Sequence, residues 1–455
     1  MGKLTHSSSG FVGGDRQERT MMDVAKVGWP CSLWAAMTPP GPDLPELVGD
    51  TKADVIVIGC GFTGLSTALH LREAGVDVAI IEAMEPGWGA SGRNNGQVIP
   101  ALSRPDPEDI VAKHGAAGER FAGLLRDSAS TLFDIARRHQ IQAEQEQAGW
   151  VQPVHSPGRI KIAERRVRQW SKFGASVELL SRDQTRRMLG SDAWFGGFWN
   201  KTGGHINPLA LSRGLARVVL DRGGRIFARS PATSFKRHND RWVVTTEQGQ
   251  ISGRALVVAT NAYTGEFSKS LMPGMAHEVM PVLSWQMATQ PLSEAARKTI
   301  IPGRQAMSDT HGELYFARYD ARNRLVTGGA VIGPGNKPER LKRIVAERLQ
   351  RLWPQIGRIE FDYVWNGYVG MTTDFLPRIH RLGPDAYGWT GCNGRAVALS
   401  IGLGDELSKA VRGVPESGLA LPLSDPAPIV AHGLLRRLAP LMLMIYRRRD
   451  AREID

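Results

Sequence analysis

Three glycines and one glutamate carry the plainest chemistry in the chain. Gly59, Gly61 and Gly64 stand at G-x-G-x-x-G spacing in the stretch "VIVIGCGFTGLSTALHLREAGVDVAIIEA", Val55 to Ala83. The first glycine permits a tight turn, the second lets backbone approach a pyrophosphate, and the third lets a helix lie close on a strand. The helix start that follows, at Phe62 and Thr63, offers unpaired N–H groups to phosphate oxygens. Glu82, with Ala83 beside it, suits a ribose diol and would repel a 2′-phosphate. A glycine-rich turn in an ordinary α/β unit is the plainer alternative, but strand, helix and acid are all placed for dinucleotide binding. The motif does not separate FAD from NAD. No H-x-x-x-H or paired-cysteine spacing supports a metal.

A second run, "PGWGASGRNNGQVIP", Pro86 to Pro100, is rich in small and amide side chains. Such a run can bring backbone amides against a planar ligand, and it reads equally as a surface loop.

The elements that must hold these residues follow from hydrophobic period. The apolar run Val55 to Ile58 breaks at Gly59, Leu65, Ala68, Leu69 and Leu71 recur at helical spacing, and Gly75 precedes a second apolar run ending at Glu82. Continuous apolar strands of this kind belong to a parallel sheet covered on both faces. The segment from Arg225 to Thr264 reads as short strands and hairpins ending in the buried run Ala255 to Ala259. Near the C-terminus, "YGWTGCNGRAVALSIGLGDELSKAVRG" reads as a strand, a glycine turn and a helix from about Gly394 to Val411. Two glycine-rich helix starts can place one at a pyrophosphate and the other at a ring system. Segments starting at Ser284, Glu313 and Arg324 look like antiparallel strands, and helical patterns lie between Asp109 and Arg138 and between Pro338 and Leu352.

The chain has 455 residues, and its composition excludes disordered and fibrous classes. Cys31, Cys60 and Cys392 are scattered, which suits a reduced, cytoplasmic setting. The net charge of +12 is spread along the chain, so a solvated basic surface is expected and nucleic-acid binding is not. The polar N-terminus is expected to be disordered, with Met21 or Met22 as alternative starts, and "TPPGPDLPELVGD" to form an extended arm. No run of 18 apolar residues predicts a membrane span. "HGLLRRLAPLMLMIYRRR", His432 to Arg449, combines an apolar segment with flanking arginines. It fits an amphipathic helix on an anionic membrane surface, although a tail packed on its own domain or on another subunit is the favoured reading.

The ordered set "GCGFTGL", "IIEA", "GWGASGRNNGQV", "ATNAY", "WNGYVGMTTDFLP" and "GCNGRAVAL" resembles the FAD-dependent D-amino-acid oxidase superfamily, its gamma-glutamylputrescine oxidase-like branch in particular, from about Leu33 to Gly413. The resemblance implies an α/β (α+β) protein with a Rossmann-like FAD-binding domain and a discontinuous substrate domain built on a mixed or antiparallel sheet. The expected division is 1–50 for an extension and arm, 51–104, 205–270 and 360–415 for the FAD-binding domain, 105–204 and 271–359 for the substrate domain, and 416–455 for a tail. It implies non-covalent FAD, with Gly59, Gly61, Phe62, Thr63 and Gly64 at the pyrophosphate and Glu82 and Ala83 at the adenosine ribose. Ala90, Ser91, Arg93, Asn94, Asn95, Gly96 and Gln97 would lie along the flavin, Thr260 and Asn261 beside the cofactor, and Gly391, Asn393, Gly394, Arg395 and Ala396 at the pyrimidine side of the ring. Cys392 falls in that turn but away from the position used for covalent attachment in sarcosine oxidases, which aligns near Gly367.

The implied chemistry is oxidation of a carbon–nitrogen bond, hydride passing to flavin N5 and the imine hydrolysing, with oxygen or a quinone as the final acceptor. Tyr315, Trp365 and Asn393 are the expected substrate contacts, with Trp285, Tyr368 and Arg318 behind them. In amino-acid-oxidising relatives an arginine grips the substrate carboxylate; that position aligns with Val369, so amines or glutamylated polyamines are expected and a cyclic amino acid such as pipecolate is the alternative. Arg395 is the candidate for stabilising negative charge on the reduced ring. A non-catalytic flavin-binding subunit and an NAD-dependent dehydrogenase are the rival classes.

Overall fold

The computed structural model describes residues 28–330 and 336–453; the expected N-terminal disorder and the alternative starts lie outside the described residues. Two sheets organise the chain, one of nine strands and one of eight. The centre of the first is β1 (Gly49–Ile58), flanked in parallel by β2 (Val78–Ile81) and β3 (Gly249–Val258). Strands 225–227 and 386–390 extend it in parallel on either side. Helices α2 (Phe62–Glu73), α3 (Pro208–Asp221) and α4 (Val397–Val411) accompany this sheet. Both α2 and α4 are buried around most of their circumference, which is why their sequences show no sharp polar face. Asn207 fixes the start of α3 by accepting from the Ala210 N–H, with Pro208 at the first helical position.

In the second sheet, β4 (Met280–Pro291) pairs antiparallel with β5 (Phe361–Met371) and with strand 324–329. Strands 316–319, 306–308, 150–153, 197–200 and 177–180 complete it, with one parallel pair between 306–308 and 150–153. A separate core of Met287, Leu325, Leu341, Val345 and Trp353 backs this sheet. A two-stranded ribbon of 97–98 with 204–205 stands apart from both sheets.

Sheet membership cuts across the expected division in two places. β5 lies within 360–415, the span assigned to FAD binding, yet it belongs to the second sheet. Ten paired positions, broken by one register shift at Asp362, satisfy its backbone groups along β4, and only the turn after it rejoins the first sheet. Strand 423–424 carries the first sheet past residue 415. Ahead of the Thr38–Asp50 stretch, which holds no helix, α1 (Leu33–Met37) forms after Ser32, whose hydroxyl accepts from the Ala35 N–H. Leu33 and Trp34 are large apolar neighbours that must be buried, and they pack against Leu209, Val326 and Trp365.

Removing the Trp34 indole therefore leaves a cavity between α1, α3 and β5. Trp34→Ala is expected to lower the unfolding free energy by about 3 kcal/mol in chemical denaturation. An unchanged midpoint would show that the arm is not part of the core.

Candidate functional site

The carboxyl ends of β1, β2 and β3, together with the N-termini of α2 and α4, face one cavity of about 420 Å³. This is the edge at which open parallel sheets bind ligands. Gly59 takes φ +104, a region that penalises side chains. A Cβ at Gly64 would stand 2.0 Å from the Gly59 carbonyl oxygen, so only glycine lets α2 seat on the turn. Ser91 crosses to this helix end and its Oγ accepts from the Phe62 N–H at 2.9 Å. At the end of β2 the Glu82 carboxylate accepts from the Cys60 N–H at 2.7 Å and from the Met84 N–H at 2.9 Å. Burial raises its pKa, and those N–H groups oppose the rise. Gly61, Thr63, Ala83 and Ala90 also line the cavity, whereas Gly64 works behind the wall.

The Arg93–Asn94–Asn95 stretch is fastened from outside. Trp365 Nε1 donates to the Arg93 carbonyl at 2.8 Å, Trp34 Nε1 to the Asn94 carbonyl at 2.8 Å, and Arg318 Nε to the Asn95 carbonyl at 2.7 Å. Arg318 spends its other nitrogens on the Tyr319 and Ile206 carbonyls and lies 4.6 Å from the Trp34 ring. Burial pulls its pKa down to about 10. Within the loop, Asn94 and Asn95 accept from the Gly96 and Gln97 N–H groups, and Gln97 Nε2 donates to the Met307 carbonyl. Gly96 has φ +79, and a Cβ there would meet the Ile206 oxygen at 2.1 Å. Arg93, Asn94, Asn95 and Gln97 line the cavity; Gly96 does not.

Opposite them stand Thr260 and Asn261, then Tyr263, whose hydroxyl accepts from the Tyr368 N–H at 3.2 Å. Arg93 donates through Nε to the Trp88 carbonyl, and its guanidinium lies 4.1 Å from that residue's ring. At the start of α4, Gly394, Arg395 and Ala396 are on the wall. Arg395 donates to the Leu102 carbonyl at 3.2 Å and lies 4.8 Å from the Trp150 ring; burial, then the charge of Arg166, lowers its pKa to about 9. The second sheet contributes Leu283, Gln286, Ser308, Glu313, Tyr368 and Val369.

Of the expected substrate contacts, Tyr368 lines the cavity, whereas Trp365, Tyr315, Asn393, Trp285 and Arg318 do not. Trp365 is buried behind the Arg93 loop, and Tyr315 stacks on His311 at 4.1 Å beneath Arg348. Asn393 joins Thr372 to the turn: its Oδ1 accepts from the Thr372 N–H and its Nδ2 donates to the Gly391 carbonyl. Gly391 stays off the wall because Thr372 and Leu376 crowd it. Trp285 packs on the second core and leaves Gln286, the next residue, to face the cavity. Strand alternation alone could have flagged Gln286 once Trp285 was assigned to the core. Tyr263 and Trp88 lay inside the quoted motifs, but nothing local marked their orientation.

These residues fit a flavin dinucleotide. Thr63 Oγ1, Asn261 Oδ1 and Arg395 Nε are buried on the wall without a hydrogen-bond partner among the described residues, beside a glycine cradle and two helix N-termini. Cys392 Sγ accepts from the Gly370 N–H, and burial raises the thiol's pKa, which keeps it protonated and a poor nucleophile. Gly64→Val is expected to purify with less than about a tenth of the wild-type flavin, since α2 must leave the turn; full occupancy would refute the placement. Acid precipitation of wild type should leave a colourless pellet.

Comparison with known proteins agrees with this geometry. The model of the FAD dependent oxidoreductase family matches residues 54–410. Gamma-glutamylputrescine oxidoreductase of Escherichia coli is 33% identical over 365 residues, covering 80% of this chain and 84% of its own. L-proline dehydrogenase from P. horikoshii has a TM-score of 0.69 at 19% identity, covering 82% of this chain and 96% of its own. Glycine oxidase from Geobacillus kaustophilus has a TM-score of 0.67 at 18% identity, covering 80% and 95%. A match across more than three quarters of the sequence, on a cavity built for a flavin dinucleotide, makes this chain a member of the FAD-dependent oxidoreductase family.

Proposed function

We propose that this protein, an FAD-dependent oxidoreductase acting on amines or amino acids, oxidises the carbon–nitrogen bond of an amine or a glutamylated polyamine. The flavin, when bound, supplies the two-electron acceptor at N5 for hydride leaving the carbon beside the nitrogen. The resulting imine is hydrolysed by water. The observation that carries the substrate class is the character of the second-sheet wall. Val369 lines the cavity where a carboxylate-gripping arginine is expected in amino-acid-oxidising relatives. Neither alternative arginine replaces it: Arg318 is off the wall with its nitrogens committed to carbonyls, and Arg395 is anchored to Leu102 and Trp150. Loss of a buried charge-assisted pair costs on the order of 2 to 5 kcal/mol of binding.

The chain's own groups have two tasks. Tyr263, Tyr368 and Leu283 narrow the cavity and exclude water from an amine held against the ring plane. Glu313, a carboxylate lining the wall, is paired with Arg447, so that pair adds no net charge at the mouth. Arg395 and the start of α4 would hold positive charge toward the bound flavin, which gains negative charge on reduction. The name of the Escherichia coli relative supports the same substrate class.

Under nitrogen, amines or glutamylated polyamines should bleach the flavin faster than glycine, D-alanine or L-proline. Val369→Arg should lower the KM for a simple α-amino acid by about 10-fold or more. A plain α-amino acid as best substrate, with its KM unmoved by Val369→Arg, would overturn this reading.

A further inference from the structure

The C-terminal helix α5 (His432–Arg452) is clamped along one side and bare along the other. The clamped side is specific. His432 Nε2 lies 3.0 Å from the Val279 carbonyl, Arg104 donates to the Tyr446 hydroxyl, and Arg447 holds both Glu313 and the Ala330 carbonyl. Asp450 accepts from the Gly312 N–H, and Glu453, just past the helix, pairs with Arg159. Gly312, Glu313 and Ala330 are themselves cavity-lining residues, so the helix is fixed to one rim of the cavity.

The bare side is apolar. Leu434, Leu438, Leu441 and Ile445 recur at positions i, i+4, i+7 and i+11, one face of a helix, and are 58%, 44%, 52% and 56% exposed. Leu435 and Met444 widen the stripe. On the same rim Val282 and Leu283, exposed residues of β4, continue the apolar surface to the cavity lining. Arg437 and Arg448 border this stripe, both exposed, and neither has an acidic partner among the described residues. No helix among the described residues is long and apolar enough to cross a membrane.

We propose that this face of α5 docks the protein on an anionic lipid surface and sets the cavity rim against it. An apolar stripe flanked by unpaired arginines matches the layered chemistry of such a surface, acyl chains below and phosphates above. A second copy of the chain is a poorer occupant: two such faces would bring both sets of arginines together with no carboxylate between them. The inference stands on the surface alone and does not depend on which amine is oxidised.

The test uses the FAD-loaded full chain, sedimented with phosphatidylcholine vesicles with and without phosphatidylglycerol. Wild type should pellet with the phosphatidylglycerol vesicles and be released progressively as salt rises. Leu438→Glu/Leu441→Glu should reduce the bound fraction about 10-fold while flavin content and monomer size stay unchanged. Equal pelleting of wild type and double variant would overturn the proposal, as would no pelleting with either vesicle. A wild-type dimer that separates in the double variant, without vesicle binding, would assign the face to a second copy instead.

Discussion

The site depends on three consecutive carbonyls being held in place. Arg93, Asn94 and Asn95 each give their oxygen to a different donor, Trp365 from β5, Trp34 from α1 and Arg318 from strand 316–319. A loop of small and amide residues has little side-chain mass with which to pack itself, so its conformation is imposed from behind. With the oxygens pulled outward, the Asn side chains are free to cap the next N–H groups, and the turn through Gly96 becomes rigid. Each donor is buried, so breaking one bond strands a polar group on both sides. The two sheets and the N-terminal arm are thereby coupled through a segment only three residues long.

Electrostatics follow from the same architecture. Two helix N-termini and two arginines face the cavity, and the acids that approach it are already engaged: Glu82 by backbone N–H groups, Glu313 by Arg447. The enclosure is therefore biased toward negative charge at its nucleotide end. Arg395 remains a cation across the physiological range even with burial lowering its pKa to about 9.

Spacing and period made the nucleotide half legible. Gly59, Gly61, Glu82 and the Ser91–Gln97 run could be located because each obeys a local rule, and Val369 could be placed by counting along a motif. The residues that lie off the cavity wall are placed by long-range contacts instead. The Trp365 indole meets its acceptor 272 positions away, the Arg318 guanidinium 223 and the Trp34 indole 60. No local pattern distinguishes an aromatic residue that walls a cavity from one that buttresses the loop behind it. Trp285 faces away from the cavity on parity, since neighbours in a strand face opposite sides. The long β5 was grouped by motif order, whereas its partner was decided by register with β4.

The pairing of Gly49 with Gly249 spans two hundred positions, and the cavity is not walled until α4, ending at Val411, is in place. Contacts so far apart in sequence form slowly, because the chain between must be ordered before they stabilise anything. During synthesis from the N-terminus, the glycine turn after β1 emerges long before the strand and helix that complete it. The nucleotide pocket is thus a product of late assembly, and the nascent chain exposes the apolar edges of β1 and β2 until most of the polypeptide has been made.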